Sequence, residues 1–484
     1  MADSNISDNS VQSFDSELEI LPSPRRWFAL AALLGATFIG TVNNNIVNVA
    51  IPDIAEDLAV SLNSAVWVVA GFALALATMM PLAGRLGDLY GSRRIFLFGV
   101  GTFAVSSIFL ALAPNLPCAI LGRVLQGVSG APVLPCVMST ITRIFPKSHR
   151  GRAIGLWAAV NSGALAIAPA LGGWIVDIVG WRAIFWLSGP LILGVGVAVA
   201  ILVPPDIPRV IGSFDLRGVI LFVSFMISLV TSVSLIENLR FSHPLIWLSI
   251  LVCGLAFVLL RRHLSSVRDP FIDPRMVSNS AFIINTLIAS MQMVVLFGVT
   301  FVVPVFLVSG LGRTTSFAGI TIATLAGTML AGSVISGRLA ERIGFPRLAL
   351  FGGVVILLGT TLVMTRVIAT PWLVAGLVLC GLGISLIQTP STVAVTLNVA
   401  QNETGAAMGI FNMARFIFGG IGATITAAIF QTGTRLWGIG GTPTVGAFRL
   451  AFAIPMAGAG MIILLSFVAR QLAIKKFAPQ KSTI

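Results

Sequence analysis

Charge is scarce in this sequence: 10% of its 484 residues are charged, while 56% are hydrophobic. No soluble domain hides that much apolar surface, so a soluble fold is excluded and a polytopic membrane protein is expected. Acids are rarer than bases, 17 against 30. None lies deep in an apolar run: five fall within residues 1–24 and the rest stand in loops or at run ends. His149, His243 and His263 also stand at ends, so the usual proton carriers of a membrane interior are missing. Cys118, Cys136, Cys253 and Cys380 occur singly in apolar stretches without metal-ligand spacing, which reads as packing and leaves no metal site. No GxSxG, HExxH or GxxxxGK[ST] pattern occurs, so nothing points to an enzyme, a nucleotide site or a cofactor. The formal charge of +13 is scattered between apolar runs rather than gathered in a patch, which argues against nucleic acid as a partner. Residues 1–24 lack the basic start and cleavage site of a signal peptide; they read as a disordered tail, with the first apolar run as its own targeting signal.

What the chain does have is hydrophobic length. At roughly 20 apolar residues per crossing, fourteen spans fit, at residues 27–51, 64–84, 93–113, 118–143, 153–177, 182–204, 217–237, 243–262, 280–308, 317–337, 347–366, 371–397, 405–431 and 446–472. With the N-terminus inside, 22 of the 30 Lys and Arg fall on the inner side, 6 outside and 2 within spans, which predicts both termini in the cytoplasm. The hinge GRLGDLYGSRR, Gly84 to Arg94, returns in degraded form 253 residues later as GRLAERIGFPR, Gly337 to Arg347. The chain therefore reads as a duplication: a disordered cytoplasmic tail at 1–26, a six-helix bundle at 27–204, a linker with inserted helices 7 and 8 at 205–279, a second bundle at 280–472 and a tail at 473–484. Two like halves of this kind place a substrate site between them.

Polar groups inside spans are costly, so they carry meaning. On the fourth span Arg123, Gln126, Gly127, Gly130 and Ala131 share one helical face. Arg123 falls at the depth of Asn43 on the first span, and with Asn44 and Asn45 these residues form a candidate outer polar site; the structural alternative is a helix-to-helix clamp. Asn412 and Arg415 share a face of the thirteenth span, while Asn161, Gln292 and Gln388 lie on the fifth, ninth and twelfth. Singly such groups are helix glue; together they predict a cavity that exchanges hydrogen bonds with a cargo. In GALAIAPALGG, Pro169 distorts its turn and Gly163, Gly172 and Gly173 admit close neighbours, for mechanism or for packing alone. The hinge residues Gly84, Asp88, Gly91, Arg93 and Arg94, with Gly337 and Glu341 in the copy, read either as a charged topological anchor or as a latch. The latch reading rests on the inner segment NVAQNETG, which carries no Lys or Arg and opens a span whose free N–H groups suit an anion.

These motifs resemble those of the major facilitator superfamily, and along almost its whole length the chain is similar to the fourteen-helix drug:proton antiporter family of EmrB/QacA type. GRLGDLYGSRR carries most of the likeness, joined by RVLQGVSGA at residues 123–131, GALAIAPALGG at 163–173 and WRAIFWLSGP at 181–190. The resemblance implies an all-α polytopic fold of 6 + 2 + 6 helices, a plasma-membrane location, bacterial inner membrane in kind, and multidrug-type export of hydrophobic or amphipathic small molecules by alternating access. It also implies proton antiport, Asp88 as the latch between halves, and the fifth span as an antiporter-type helix. One departure matters: the family has Asp where this chain has Asn43, and Thr where it has Asn45. An amide does not titrate, so protons are expected to couple weakly or not at all. Two buried arginines without a buried acid favour neutral or anionic amphipaths as cargo. Two other readings stand beside this one: a proton-independent facilitator or exporter of lipid or anionic metabolite, and a non-transporting membrane sensor on the same scaffold.

Overall fold

The computed structural model describes residues 23–206, 215–238, 243–267, 270–397, 399–400, 403–438 and 443–477. Both expected tails lie largely outside these residues, as does the side chain of Glu341. All regular structure described is helical, and fourteen long helices account for most of it. They are α1 Ser23–Ile46, α2 Trp67–Tyr90, α3 Ser92–Ala111, α4 Leu116–Ile144, α5 Lys147–Val179, α6 Arg182–Leu202, α7 Leu216–Asn238, α8 Pro244–Ser266, α9 Ser280–Val305, α10 Thr315–Ile343, α11 Phe345–Arg366, α12 Thr370–Leu397, α13 Thr404–Trp437 and α14 Val445–Phe477. Among the described residues, thirteen of them are long and apolar enough to cross a membrane, and the apolar part of α7, Leu216–Leu229, is shorter.

Several boundaries depart from the expectation by five or six residues, the ends of α10 and α13 among them, and two of those in the first half have a local cause. The first span, expected over 27–51, ends at Ile46, because the chain turns over 47–50 and restarts as a short helix, Ile51–Asp57, with Pro52 in its first turn. Conversely, α5 starts at Lys147 rather than 153. There the buried Arg150 donates from Nε to the Phe145 carbonyl at 3.1 Å and from Nη2 to that of Thr142, satisfying the last carbonyls of α4. An apolar-run rule sees neither a turn made by Pro nor a helix continued by a buried guanidinium.

The duplication is visible in the backbone. Gly91 (φ 101°) ends α2 and Gly344 (φ 83°) ends α10, the same 253 residues apart as the two hinges, and each reverses the chain in a conformation that glycine adopts freely. Across the halves, α2 packs on α13 and α5 on α10. Both contacts are made backbone to backbone: a side chain on Gly337 would stand 2.5 Å from the Gly151 carbonyl, and Gly84 and Gly405 face each other in the same way.

Apolar packing is not symmetric along the bundle axis. At the end carrying the hinges, Met80, Ile144, Phe145 and Trp157 of the first half share one core with Val395, Met408, Ile410 and Phe411 of the second. At the far end the first half keeps its own cluster, Ile54, Val68, Leu110 and Phe185 among its members. The molecule is thus closed at the hinge end.

Helices α7 and α8 lean on the bundle near that same end, where Phe222 meets Phe271 at 5.4 Å between ring centroids. Asp215, just before α7, stands 2.7 Å from His263 Nε2 of α8 and accepts the N–H groups of Gly218 and Phe271. Burial pulls its carboxyl upward, but the hydrogen bonds from His263, Gly218 and Phe271 outweigh that and hold it below its ordinary value. Most of α8 beyond this point, including Trp247, Leu251 and Leu255, is exposed apolar surface suited to lipid.

The glycine contacts give a direct test. Gly84→Val is expected to cost about 1–3 kcal/mol by overpacking the α2–α13 joint, read as a lower melting temperature of the purified protein. Gly173→Val, which meets nothing within 4 Å, is expected to leave the melt unchanged. Equal melts for the two variants would show that the joint tolerates a side chain.

Candidate functional site

Three polar assemblies lie in or near the contact between the halves. The first is the hinge. Asp88, at the last turn of α2, accepts the backbone N–H of Gly405 at 2.9 Å on Oδ1 and of Ala406 at 2.7 Å on Oδ2. Both donors belong to the first turn of α13, where unpaired N–H groups and the positive end of the helix dipole favour an anion.

The turn after Asp88 is held by an acid that in the sequence stands in a loop. Asp206, beyond the end of α6, accepts the Arg93 N–H at 3.3 Å and the Arg94 N–H at 3.1 Å, and pairs with Arg143 Nη1 of α4 at 2.6 Å. Any side chain on Gly91 would collide with its carboxylate. The guanidinium of Arg93 turns instead to the carbonyl of Ala200 on α6. The signal was present: an acid directly follows the Pro204–Pro205 stop on the hinge side, but the sequence does not say which helix it reaches. In the copied hinge, Gly337 meets Gly151 as described, and the side chain of Glu341 lies outside the described residues.

The second assembly sits inside the first half. Arg123 donates from Nε to the Val68 carbonyl (3.0 Å) and from Nη1 to Asn43 Oδ1 (3.1 Å) and Gln126 Oε1 (2.7 Å), with its charged carbon 4.0 Å from the centre of the Phe72 ring. Gln126 continues the chain to Ser107 Oγ at 2.8 Å. Arg123 and Asn43 do meet, but the expected cluster does not form as a unit. Asn45 donates to the carbonyl of Thr41 one turn back, and Asn44 faces elsewhere, because successive helical residues point about 100° apart.

The third assembly is a cavity of about 110 Å³ between the halves. The first half contributes Thr41, Asn44, Asn45, Phe72, Phe103, Trp157 and Asn161, and the second Met293, Phe297, Asn412, Arg415 and Phe416. Thr41 Oγ1 donates to Asn161 Oδ1 at 2.7 Å, tying α1 to α5. Arg415 donates from Nη1 to Asn412 Oδ1 at 3.1 Å, and Asn412 donates onward to the Met408 carbonyl at 2.9 Å. No carboxylate is among the lining residues. Of the sequence candidates, Asn43, Arg123, Gln126, Gln292 and Gln388 are buried outside this lining, with both amide atoms of Gln292 unpartnered.

On α5 the expectation of close neighbours needs correcting at Gly173 alone. The helix runs unbroken through Pro169 from Lys147 to Val179. Gly163 does approach Leu330 of α10 and Gly172 packs on Ile46 at the end of α1, but Gly173 meets no neighbour within 4 Å. Three small residues spread over ten positions of a helix cannot all face one neighbour.

Comparison with known proteins agrees with the fold. The multidrug resistance protein Stp of Mycobacterium tuberculosis is 31% identical over 400 residues, 81% of this chain and 73% of Stp. A tetracenomycin C resistance and export protein of Streptomyces glaucescens is 28% identical, covering 84% of this chain and 76% of its own. The crystal structure of the human organic anion transporter MFSD10 (TETRAN) superposes on 93% of this chain and all of its own with a TM-score of 0.69 at 14% identity, a likeness of fold. The profile of the Major Facilitator Superfamily matches residues 33–423, and with two like bundles joined at paired glycine hinges around a shared cavity, the chain belongs to that superfamily.

Proposed function

We propose that the protein is a multidrug-type exporter that carries hydrophobic or amphipathic small molecules through the cavity between its halves by alternating access. The observation that carries this reading is a cavity walled by both halves, in a molecule whose hinge end is joined by Asp88 of α2 bonded to the first turn of α13. The relatives named for drug resistance and antibiotic export support the same class of cargo. With the hinge end and both termini on the cytoplasmic side, as the distribution of Lys and Arg favours, the closed hinge corresponds to release outward. Loading then requires the Asp88 contact to break. Asp206 acts as a positioning residue, holding the turn from which Asp88 reaches across. A cavity lined by amides, hydroxyls and one guanidinium, without a carboxylate, favours neutral or anionic amphipaths over lipophilic cations. For the same reason transport draws weakly on a proton gradient, because no lining group titrates near neutral pH.

Three experiments test these assignments. A charge at a helix N-terminus is worth about 0.3–2 kcal/mol, so Asp88→Asn is expected to shift the population toward the state open at the hinge end by up to about thirtyfold and to depress efflux. Spin-label distances between α2 and α13 that stay unchanged would reject the latch. Asp206→Ala is expected to move those distances in the same direction by less, and the double variant to add little to Asp88→Asn alone, since both act on one contact; full additivity would show that Asp206 acts elsewhere. Asn43→Asp, which puts a titrating group 3.1 Å from Arg123 Nη1, is expected to raise the dependence of proteoliposome efflux on an imposed pH gradient. Uphill export by the unaltered protein from a proton gradient alone would overturn the weak-coupling reading.

A further inference from the structure

Among the described residues three arginines are buried in the long helices; Arg150 stands at the start of α5, while Arg123 and Arg415 lie well inside α4 and α13 and are not equivalent. The guanidinium of Arg123 donates from Nε and Nη1, lies on the face of Phe72 and stands outside the cavity lining. Arg415, only 2% exposed, lines the cavity, stands 5.2 Å from the centre of the Phe411 ring and uses a single nitrogen, Nη1, toward Asn412. Among the described residues its Nε and Nη2 have no hydrogen-bond partner, whereas Arg123 leaves only Nη2 without one. These two nitrogens form one edge of the planar guanidinium, and their N–H bonds run parallel. That edge is the one a carboxylate engages side-on with two parallel hydrogen bonds. Asn412 holds the opposite corner of the group, so the free edge is fixed in orientation rather than swinging on its stem.

A buried guanidinium without a counter-ion is expensive in a membrane protein, and no acid of this chain is among the residues around the cavity. Water in the cavity can accept these N–H groups, but only an anionic cargo also brings the counter-charge. Resting on the reading of the cavity as the cargo site, we propose that Arg415 is its specificity-determining residue and that the preferred cargo is an amphipath bearing a carboxylate. The carboxylate binds the Nε–Nη2 edge, and the apolar body lies against Phe297, Phe416 and Trp157. Arg415 also stands on the helix whose first turn receives Asp88. Gly405 and Arg415 are ten residues apart, about 15 Å along one rigid helix, so a load placed on Arg415 acts on the element that opens and closes the hinge end.

The test is equilibrium binding of two probes of equal shape, naphthylacetate and naphthylacetamide, to the purified full-length protein in detergent. The unaltered protein is expected to bind the carboxylate at least about tenfold more tightly than the amide, the margin of a charge-assisted pair over a neutral one. Arg415→Gln is expected to remove the preference while still binding the amide, and Arg415→Lys to restore it only in part, because an ammonium cannot supply the parallel edge. Equal affinity for the two probes in the unaltered protein, a preference that survives Arg415→Gln, or full restoration by Arg415→Lys would each overturn the proposal. The melting temperature of Arg415→Gln, expected to be unchanged or higher, shows that the variant is folded. Because binding is read without transport, the export reading fails separately, if proteoliposomes of the unaltered protein move no amphipath at all.

Discussion

Two backbone N–H groups at the start of α13, with nothing in their own helix to bond to, are met by the carboxylate of Asp88 from the other half of the molecule. At this joint the two halves meet through that contact and through the glycines that permit it. A helix terminus in a low-dielectric setting is a strong anion site, but Asp88 reaches it only because Gly84 and Gly405 let α2 and α13 touch through their backbones. The shared apolar core at the same end, from Met80 to Phe411, then forms around a joint already set by polar geometry. A contact of this type is suited to switching. Its strength lies in a few short hydrogen bonds of defined direction, which weaken together once the helices slide.

The same constraint explains how the interior polar groups are distributed. In a bilayer every polar atom has to be satisfied within the protein, by a cargo or by water in a cavity. Arg123 bonds through Nε and Nη1 to Val68, Asn43 and Gln126, and so ties α1, α2 and α4 together. Arg415 lines the cavity with Nε and Nη2 unpartnered among the described residues. One residue type thus has two roles, divided by what each side chain meets.

Architecture was legible in the residues. Apolar length marked out the helices, and the repeated hinge revealed the duplication, down to the two left-handed glycines 253 residues apart. Helix ends were less legible where Pro52 redirected the chain or Arg150 extended it, because both effects depend on backbone carbonyls that an apolar count ignores. The site was readable in part. The depth of Asn43 and Arg123 foretold their contact, since rise per residue is a property of the helix alone.

Facing and partnership were decided by the tertiary structure. Asp206 is one acid among several at the membrane surface until α3, α4 and α6 converge on it. Nor does anything local in the sequence separate Arg123 from Arg415, or Gly172, which packs on Ile46, from Gly173, which meets nothing. The sequence by itself determined how many helices there are, how they repeat and which residues are too polar to lie idle in a membrane, because those follow from hydrophobicity and helical rise. Which of those residues meet each other and which meet the cavity is settled only by the rotation of each helix against its neighbours, through contacts between segments hundreds of residues apart.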